Sequence, residues 1–415
     1  MLKARRLSLP WLNPQRELAR NIVTMFLSRI DGACIELQQP GQPSQLFGQK
    51  GAKHQLVIDV RDACVFERVL RGGTLAAAET YIEGLWRTSN LHELLLVMAN
   101  NQQRLDHLDS NISKLFQWSA KIRHWLNHNR KQQAKRNILA HYDLGNHFYQ
   151  SFLDSKMQYS CALYDDELKN RPPEALLEQA QERKLKRICD QLQLNSSSHL
   201  LEIGSGWGGL AIYAAQHYGA QVTTTTISDE QYAYCCQKVH KLHLNDKIRV
   251  LSCDYRDLHG HFDKLVSIEM IEAVGHAYLP QFIQKCADLL TPGGKMLLQT
   301  ITIKDERYDN YRHNTDFIQQ MVFPGGFLPA LKILKRLFRK SKLQIDNQLD
   351  MRLSYAKTLR AWHNRLCAYR AQHPGDLGFN AQFFRLWHFY MAYCEAGFLS
   401  ANTGVWQLTL THNES

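Results

Sequence analysis

The chain has 415 residues, which is too long for one ordinary domain, so we expect two domains or one with a large appendage. Hydrophobic residues make up 44% and charged residues 21%, and no apolar run approaches the roughly 18 residues of a membrane span. This composition excludes disordered and membrane-spanning classes. The net charge of +11 predicts a polyanionic partner, namely nucleic acid, an anionic membrane surface or acidic metabolites.

Ten cysteines are present, and no two have the C-x-x-C spacing of zinc ribbons or redox motifs. No His, Cys or Asp cluster has metal-ligand spacing either, so we predict no metal site. The first residues are charged and lead into a polar, proline-containing stretch, which differs from a secretory signal. We therefore expect free thiols and a cytoplasmic protein.

The amino-terminal third predicts a small α+β domain over residues 1–118. Residues 1 to about 30 are typical of a helical lead-in. Short alternating stretches from Cys34 to Val60, separated by Gly and Pro, predict a small antiparallel sheet. Helical periodicity then runs from Phe66 to Trp86. The basic stretch 119–139 is interpreted as a linker to a second domain over 140–415.

The second domain alternates strands and helices, which favours parallel βαβ units. The predicted strands are 200–203, 221–227, 248–253, 264–268 and 296–303. We expect a helical insertion near 305–390 and a last, antiparallel strand at 405–410. The predicted fold class is therefore an α/β, Rossmann-like domain with a helical insertion, beside the smaller amino-terminal domain.

A glycine loop follows the first of these strands and predicts a nucleotide site. Gly204, Gly206 and Gly209 have the spacing of a dinucleotide fingerprint, but the second strand ends at Thr226 without the acid that would bind the ribose. Asp254 closes a further strand, where an acid can accept the adenine amino group. This layout resembles class I methyltransferases that use S-adenosylmethionine (SAM); a tight turn without a ligand is the alternative.

Several further blocks resemble the cyclopropane-fatty-acyl-phospholipid synthase family, which includes the mycolic acid cyclopropane synthases. The blocks are collinear and comprise 141–146, 159–162, 226–231, 254–257, 268–275, 323–329 and 355–362. Residues 73–86 are similar to the extra domain of the long members that act on phospholipids. The resemblance spans roughly 140 to 410.

The resemblance implies residue roles, position by position. The residues implied to line SAM are Tyr159, Ser160, Gly204, Gly206, Thr226, Ile227, Gln231 and Asp254. Those implied to hold a bicarbonate ion are Cys161, Glu272, Ile301 and Tyr355. Gln299 is a departure, because the family has His at this bicarbonate contact, and a Gln amide donates a hydrogen bond but carries no charge or proton. Ala273, where many members have His, is a lesser one.

The implied reaction is transfer of the SAM methyl group to a cis double bond of a phospholipid acyl chain, with ring closure after proton loss to a bound base such as bicarbonate. Aromatic faces stabilise the intermediate cation; the candidates are Tyr142, Phe148, Tyr159, Phe317 and Tyr355, and His141 is a further pocket candidate. Three alternatives remain: methyl or methylene branching, a SAM- and lipid-binding protein without catalysis, and a small-molecule N- or O-methyltransferase. Structurally, Cys161 is equally typical of a buried small hydrophobe and Glu272 of a helix cap.

The segment 331–340 places apolar residues on one helical face with cations around them. This pattern is typical of an interfacial helix on an anionic membrane, or of a helix packed on the core with a basic outer side. The apolar stretch 323–327 is interpreted as a cover for the acyl pocket. No nucleic-acid module is recognised, so we expect unsaturated phospholipid at the inner membrane surface as the partner. A homodimer is left open.

Overall fold

The computed structural model describes residues 14–102, 144–165 and 171–413. The chain divides into two compact units, one formed by Met1–Ile122 with Phe379–Ser400 and the other by Arg123–Gly378 with Ala401–Ser415. The sequence prediction of one continuous domain over 140–415 did not anticipate that Phe379–Ser400 groups with the amino-terminal unit. The predicted linker 119–139 lies outside the described residues.

Within its described residues, the first unit contains a four-stranded sheet and four helices. The sheet order is β2–β1–β3–β4, with β1 at Ala33–Gln39, β2 at Gln42–Gly48, β3 at His54–Val60 and β4 at Trp86–Thr88. The helices are α1 (Pro14–Leu27), α2 (Cys64–Glu83), α3 (Leu91–Asn100) and the last helix of the chain, α12 (Ala381–Leu399). This confirms a small α+β unit.

Two expectations for this unit are wrong. The sheet is mixed rather than antiparallel, because β3 lies on the other side of β1 from β2 and pairs with β1 in parallel. The helix predicted to reach Trp86 ends at Glu83, because Gly84 adopts the left-handed conformation (φ 84°) that closes a helix. Trp86 then begins β4, which pairs with β3.

The second unit is built on a seven-stranded sheet of order β10–β11–β9–β8–β5–β6–β7. Its strands are β5 (His199–Ile203), β6 (Gln221–Thr226), β7 (Ile248–Ser252), β8 (Phe262–Ile268), β9 (Leu290–Ile303), β10 (Leu343–Asp350) and β11 (Thr403–His412). Strands β5 to β9 pair in parallel. Strand β11 pairs antiparallel with both of its neighbours, β9 and β10. The predicted α/β, Rossmann-like class is confirmed.

Helices surround this sheet. They are α4 (Asn146–Gln150), α5 (Pro173–Gln191), α6 (Gly209–Tyr218), α7 (Asp229–Lys241), α8 (Leu279–Asp288), α9 (Tyr308–Tyr311), α10 (Leu331–Lys340) and α11 (Arg352–Gln372). Within the predicted helical insertion, residues 343–350 instead form strand β10, which pairs with β11. No helix within the three described ranges is long and apolar enough to cross a bilayer.

The core lies on both faces of the sheet. Along β5, Leu200 belongs to one buried apolar cluster and Leu201 to another, and along β9 the neighbours Leu297 and Leu298 divide in the same way. Successive side chains of a strand point to opposite faces, so the two clusters cover opposite faces. Burial on both faces explains why these strands appear in the sequence as continuous apolar runs.

Helix α10 packs on this core. Leu334, Leu337 and Phe338 are buried in the same cluster as Phe327, so the apolar face of the helix is not available to a membrane. Of the two interpretations of this segment, the packed helix with a basic outer side is the one observed. Arg336 and Arg339 are exposed on that outer side.

Candidate active site

The loops at the carboxyl ends of the parallel strands lie along one edge of the sheet. In an open α/β sheet this edge is where ligands bind. Gly204 follows β5, Ile227 follows β6, Asp254 follows β7 and Glu269 follows β8. Four stretches that are far apart in the sequence therefore contribute to one site.

The glycine loop has the backbone geometry that a cofactor needs. Gly204 (φ 98°) and Gly206 (φ 50°) both adopt positive φ, which favours glycine. The N–H groups of Gly204 and Ser205 donate to the carbonyl oxygen of Thr225 at 3.0 and 2.9 Å, which fixes the loop on β6. A Cβ at Gly206 would meet no protein atom within 4 Å, so its backbone is open to a ligand, and the loop fits SAM.

The second SAM stretch is ordered by a capping network. Ser228 caps α7 by accepting from the Gln231 N–H at 3.3 Å, and the Thr226 hydroxyl donates to Gln231 Oε1 at 3.0 Å. Ile227 is half-buried between them. Asp254 accepts two hydrogen bonds from the Arg256 guanidinium, at 2.7 Å each. This ion pair holds the predicted adenine acceptor in place.

Residues 158–161, named here the 158–161 segment, carry three of the predicted site residues. Tyr159 stacks on Trp362, with ring centroids 5.1 Å apart, and Tyr355 meets the edge of Trp362 at 6.2 Å. Helix α5 holds the segment, because Gln181 donates to the carbonyl oxygen of Ser160 at 2.9 Å. Two of the predicted cation-stabilising rings thus share one aromatic cluster.

A third aromatic candidate lies behind the same cluster. Phe148 is buried and packs against Tyr149 and Phe152, with centroids 5.6 and 5.4 Å away, and both of these rings contact Tyr159, at 5.3 and 6.3 Å. Phe317 is fully buried. His141 and Tyr142 lie outside the described residues.

Glu269 is the centre of the polar site, and sequence analysis did not single it out. Its Oε1 accepts from the Cys161 N–H at 2.9 Å and from the Gln299 amide at 2.8 Å, and its Oε2 accepts from the Tyr355 hydroxyl at 2.6 Å. Three donors favour the ionised carboxylate, but burial has the larger effect and raises the pKa of Glu269. Glu269 also has a positive φ of 49°, a conformation that costs a non-glycine residue about 1–2 kcal/mol.

The amide of Gln299 is oriented by hydrogen bonds that run through Gln407 to Arg187. Its Oε1 accepts from the Gln407 amide at 3.2 Å, and Gln407 Oε1 accepts from the Arg187 guanidinium at 2.9 Å. Gln299 and Gln407 are directly paired across β9 and β11. The Gln299 NH₂ group therefore faces Glu269, and the departure from His leaves a neutral donor in this position.

Glu272 forms a second buried carboxyl group. Its Oε1 accepts from the Ile301 N–H at 2.5 Å and from the Thr300 hydroxyl at 2.9 Å, while its buried Oε2 has no hydrogen-bond partner among the described residues. Burial, reinforced by the neighbouring charge of Glu269, raises the pKa of Glu272 to about 8. Glu272 is therefore mostly protonated at pH 7, and Ile301 contributes only its backbone.

The structure divides the predicted bicarbonate residues into two groups. Cys161 and Tyr355 donate to Glu269, together with Gln299, whereas Ile301 donates to Glu272. The donors that the resemblance assigned to bicarbonate thus hold a side-chain carboxylate, and this set does not fit an added ion while Glu269 is present. Glu269 stood inside the block 268–275, but only its contacts with residues distant in sequence reveal its position.

The sheet order, the glycine loop and the ordered acid after β7 define the class of the protein: it is a SAM-dependent methyltransferase. Residues 129–408 match the family model described as mycolic acid cyclopropane synthetase. The chain belongs to this family of SAM-dependent lipid methyltransferases.

Relatives in this family act on several lipids. The chain is 37% identical over 357 residues to the tuberculostearic acid methyltransferase UfaA1 of Mycobacterium tuberculosis, covering 84% of this chain and 82% of the relative. It is 31% identical over 362 residues to the cyclopropane-fatty-acyl-phospholipid synthase of Escherichia coli, covering 85% and 87%. Among solved structures, mycolic acid cyclopropane synthase CmaA1 complexed with S-adenosylhomocysteine and CTAB is similar, with a TM-score of 0.60 and 28% identity, covering 67% of this chain and 98% of that one.

Proposed function

We propose that this protein transfers the SAM methyl group to a cis double bond in a phospholipid acyl chain, and that Glu269 is the base that ends the reaction. The observation that carries the proposal is the Glu269 carboxylate, held by the Cys161 N–H, the Gln299 amide and the Tyr355 hydroxyl. A buried carboxylate with a raised pKa is suited to accept a proton near neutral pH. The chain itself supplies the group that the resemblance assigned to bicarbonate.

When bound, SAM supplies an electrophilic methyl group to the alkene. The new C–C bond leaves a carbocation on the neighbouring carbon of the acyl chain. The aromatic rings of Tyr159 and Tyr355 stabilise this cation, each by roughly 0.5–2 kcal/mol, and Trp362 holds both rings from the buried side. Glu269 then takes a proton from the acyl chain, and its three donors keep the carboxylate in place for this step.

The position of the proton determines the product. After a hydride shift to the cationic carbon, loss of a proton from the added methyl group gives a methylene-branched chain. Loss of that proton without the shift closes a cyclopropane ring. We propose the methylene-branched product for three reasons: Glu269 occupies the donors that the resemblance assigned to bicarbonate, Gln299 stands where the resemblance expects His, and the relative at 37% identity is named a methyltransferase.

Cyclopropane formation is the second candidate. It is supported by the cyclopropane synthetase family model and by the phospholipid-acting relative that matches over 362 residues. The proposed site of action is the inner membrane surface, which the exposed cations of α10 favour electrostatically. The apolar face of that helix contributes nothing to it, because it is buried.

The test is incubation of the protein with SAM and vesicles of cis-monounsaturated phospholipid, followed by mass spectrometry of the acyl chains. The proposal expects chains one CH₂ heavier that take up hydrogen under mild hydrogenation. Chains one CH₂ heavier that resist hydrogenation would establish the cyclopropane instead. No heavier chain and no S-adenosylhomocysteine, from protein shown to bind SAM, would refute both products.

A further inference from the structure

A buried cation lies against the 158–161 segment of the active site. Lys184 of α5 is completely buried. Its Nζ donates to Ser160 Oγ at 2.7 Å and to Gln158 Oε1 at 3.0 Å. Both acceptors are neutral, and within the described ranges no ion pair involves Lys184. Burial of an ammonium group without a direct counter-ion is unfavourable, so the two hydrogen bonds are what hold this charge in place.

The contacts of Lys184 lead to the base in two short steps. It bonds the side chain of Ser160, and the next residue, Cys161, donates its N–H to Glu269 at 2.9 Å. The other acceptor, Gln158, is wedged against α6: a Cβ at Gly209 would lie 2.2 Å from Gln158 Nε2. The ammonium thus holds the side chains of Gln158 and Ser160, in the segment whose next residue donates its N–H to the carboxylate.

The charges around Lys184 support an electrostatic role as well. The acidic groups facing it are Asp154, Glu202, Glu269 and the Cys161 thiol. Burial lowers the pKa of Lys184 to about 8 although these groups act to raise it, so the ammonium form remains the major one at pH 7. The titratable groups facing Glu269 are Lys184, Glu272, Tyr355 and the Cys161 thiol; Lys184 is the cation among them.

We infer that Lys184 is a positioning residue: its ammonium group fixes the 158–161 segment so that the Cys161 N–H meets Glu269, and it supplies the positive charge that keeps Glu269 ionised. This inference rests on the proposed role of Glu269 as the base. Lys184 does not touch the reacting atoms. It acts through the segment and through the field at the carboxylate.

The first arm of the test measures the titration of Glu269 directly. Protein labelled with [δ-¹³C]glutamate is titrated by NMR, and the Glu269 signal is the one missing from Glu269→Gln. In Lys184→Met the pKa of Glu269 is expected to rise, because the positive charge that faces it is removed and the segment that presents the Cys161 N–H is released. The control is Lys186→Met, an exposed lysine of the same helix paired with Asp190, which should leave the titration unchanged.

The same variants are then compared in turnover. The acidic limb of the kcat–pH profile should move to higher pH in Lys184→Met by the shift seen in the titration, about a tenfold loss below the limb for one unit. Lys184→Arg, which keeps the charge, should keep the limb. A purely structural lysine would lower melting temperature and kcat without moving the limb, and that result overturns the inference.

The second arm does not require a neutral Lys184 variant to fold. The electrostatic coupling between two titrating groups is reciprocal, so replacing Glu269 by Gln should lower the pKa of Lys184. Protein labelled with [ε-¹³C]lysine reports this shift, and the Lys184 signal is the one absent from Lys184→Arg. An unchanged Lys184 titration in Glu269→Gln refutes the inference. Neither NMR arm uses lipid, so a wild-type protein that methylates no acyl chain defeats the proposed function and leaves this coupling to be judged separately.

Discussion

Replacement of Glu269 by glycine tests the proposed base most directly. The change removes the carboxylate but leaves its three donors, the Cys161 N–H, the Gln299 amide and the Tyr355 hydroxyl. Glycine also suits the backbone at this position, since φ is 49°. The variant should therefore fold and present an open anion site of the kind that the resemblance implied for bicarbonate.

The magnitude follows from the loss of a general base. Such a loss costs about 10²–10⁴-fold in rate, which is roughly 3–5 kcal/mol of transition-state free energy. The effect on the free energy of unfolding is smaller, because two contributions oppose each other. Glycine at the left-handed position stabilises the fold by about 1–2 kcal/mol. Each donor left without an acceptor destabilises it by about 1–3 kcal/mol unless water or an ion replaces the carboxylate. We expect a large loss of kcat and a modest change in melting temperature.

Bicarbonate should restore activity to the glycine variant. The assay measures methylated acyl chains and S-adenosylhomocysteine in buffer purged of carbon dioxide, with bicarbonate then added in steps. Wild-type protein should be indifferent to the addition, because Glu269 occupies the donors. Glu269→Gln is the matched control: its side chain fills the same space without a basic oxygen, so it should be as slow as the glycine variant and should not respond.

Two results would refute this reasoning. Near wild-type activity of Glu269→Gly in bicarbonate-free buffer would mean that another group takes the proton. A slow glycine variant that bicarbonate does not rescue, in protein that still binds SAM, would mean that the three donors do not form an anion site without Glu269.

Three further outcomes are expected. Tyr355→Phe removes the hydroxyl that donates to Glu269 at 2.6 Å, so the pKa of Glu269 should rise and the acidic limb of the kcat–pH profile should move to higher pH. Initial rates should show kcat about tenfold lower at pH 7. Burial raises the pKa of Glu202 from 4.5 to about 8, so this group stabilises the fold at low pH, and its contribution is lost as the pH rises between those values. Glu202→Gln should therefore flatten the fall in melting temperature over that pH range. An equally steep fall in the variant would contradict this expectation. Gly206→Ala places a Cβ where the backbone is open to SAM and strains φ. Calorimetry should therefore show SAM affinity at least about tenfold weaker, with the unfolding temperature lowered by only a few degrees.

Part of the site could be predicted from the sequence, because the residues that form it are close together in the chain. The strand that ends in Gly204 and Gly206 and the capped turn at Ser228 depend on neighbouring residues, so their pattern is visible in the sequence. The βαβ alternation fixed the class of sheet in the same way. The family blocks added the lipid chemistry, and the match over 129–408 confirms the family.

Other features required contacts across long distances in the chain. Cys161 and Glu269 are separated by 108 residues, and the orientation of Gln299 depends on Gln407 in the neighbouring strand. The burial of one face of α10 was undecided in the sequence, because membrane and core select the same apolar pattern.

The sequence by itself determined the kind of fold, the cofactor loop and the family, since each is carried by residues close together in the chain. Only the tertiary structure decided which carboxylate the predicted bicarbonate donors hold, and that Lys184 lies buried beneath them. Hydrogen bonds between distant segments depend on sheet register and packing, and no local pattern of residues encodes those directly.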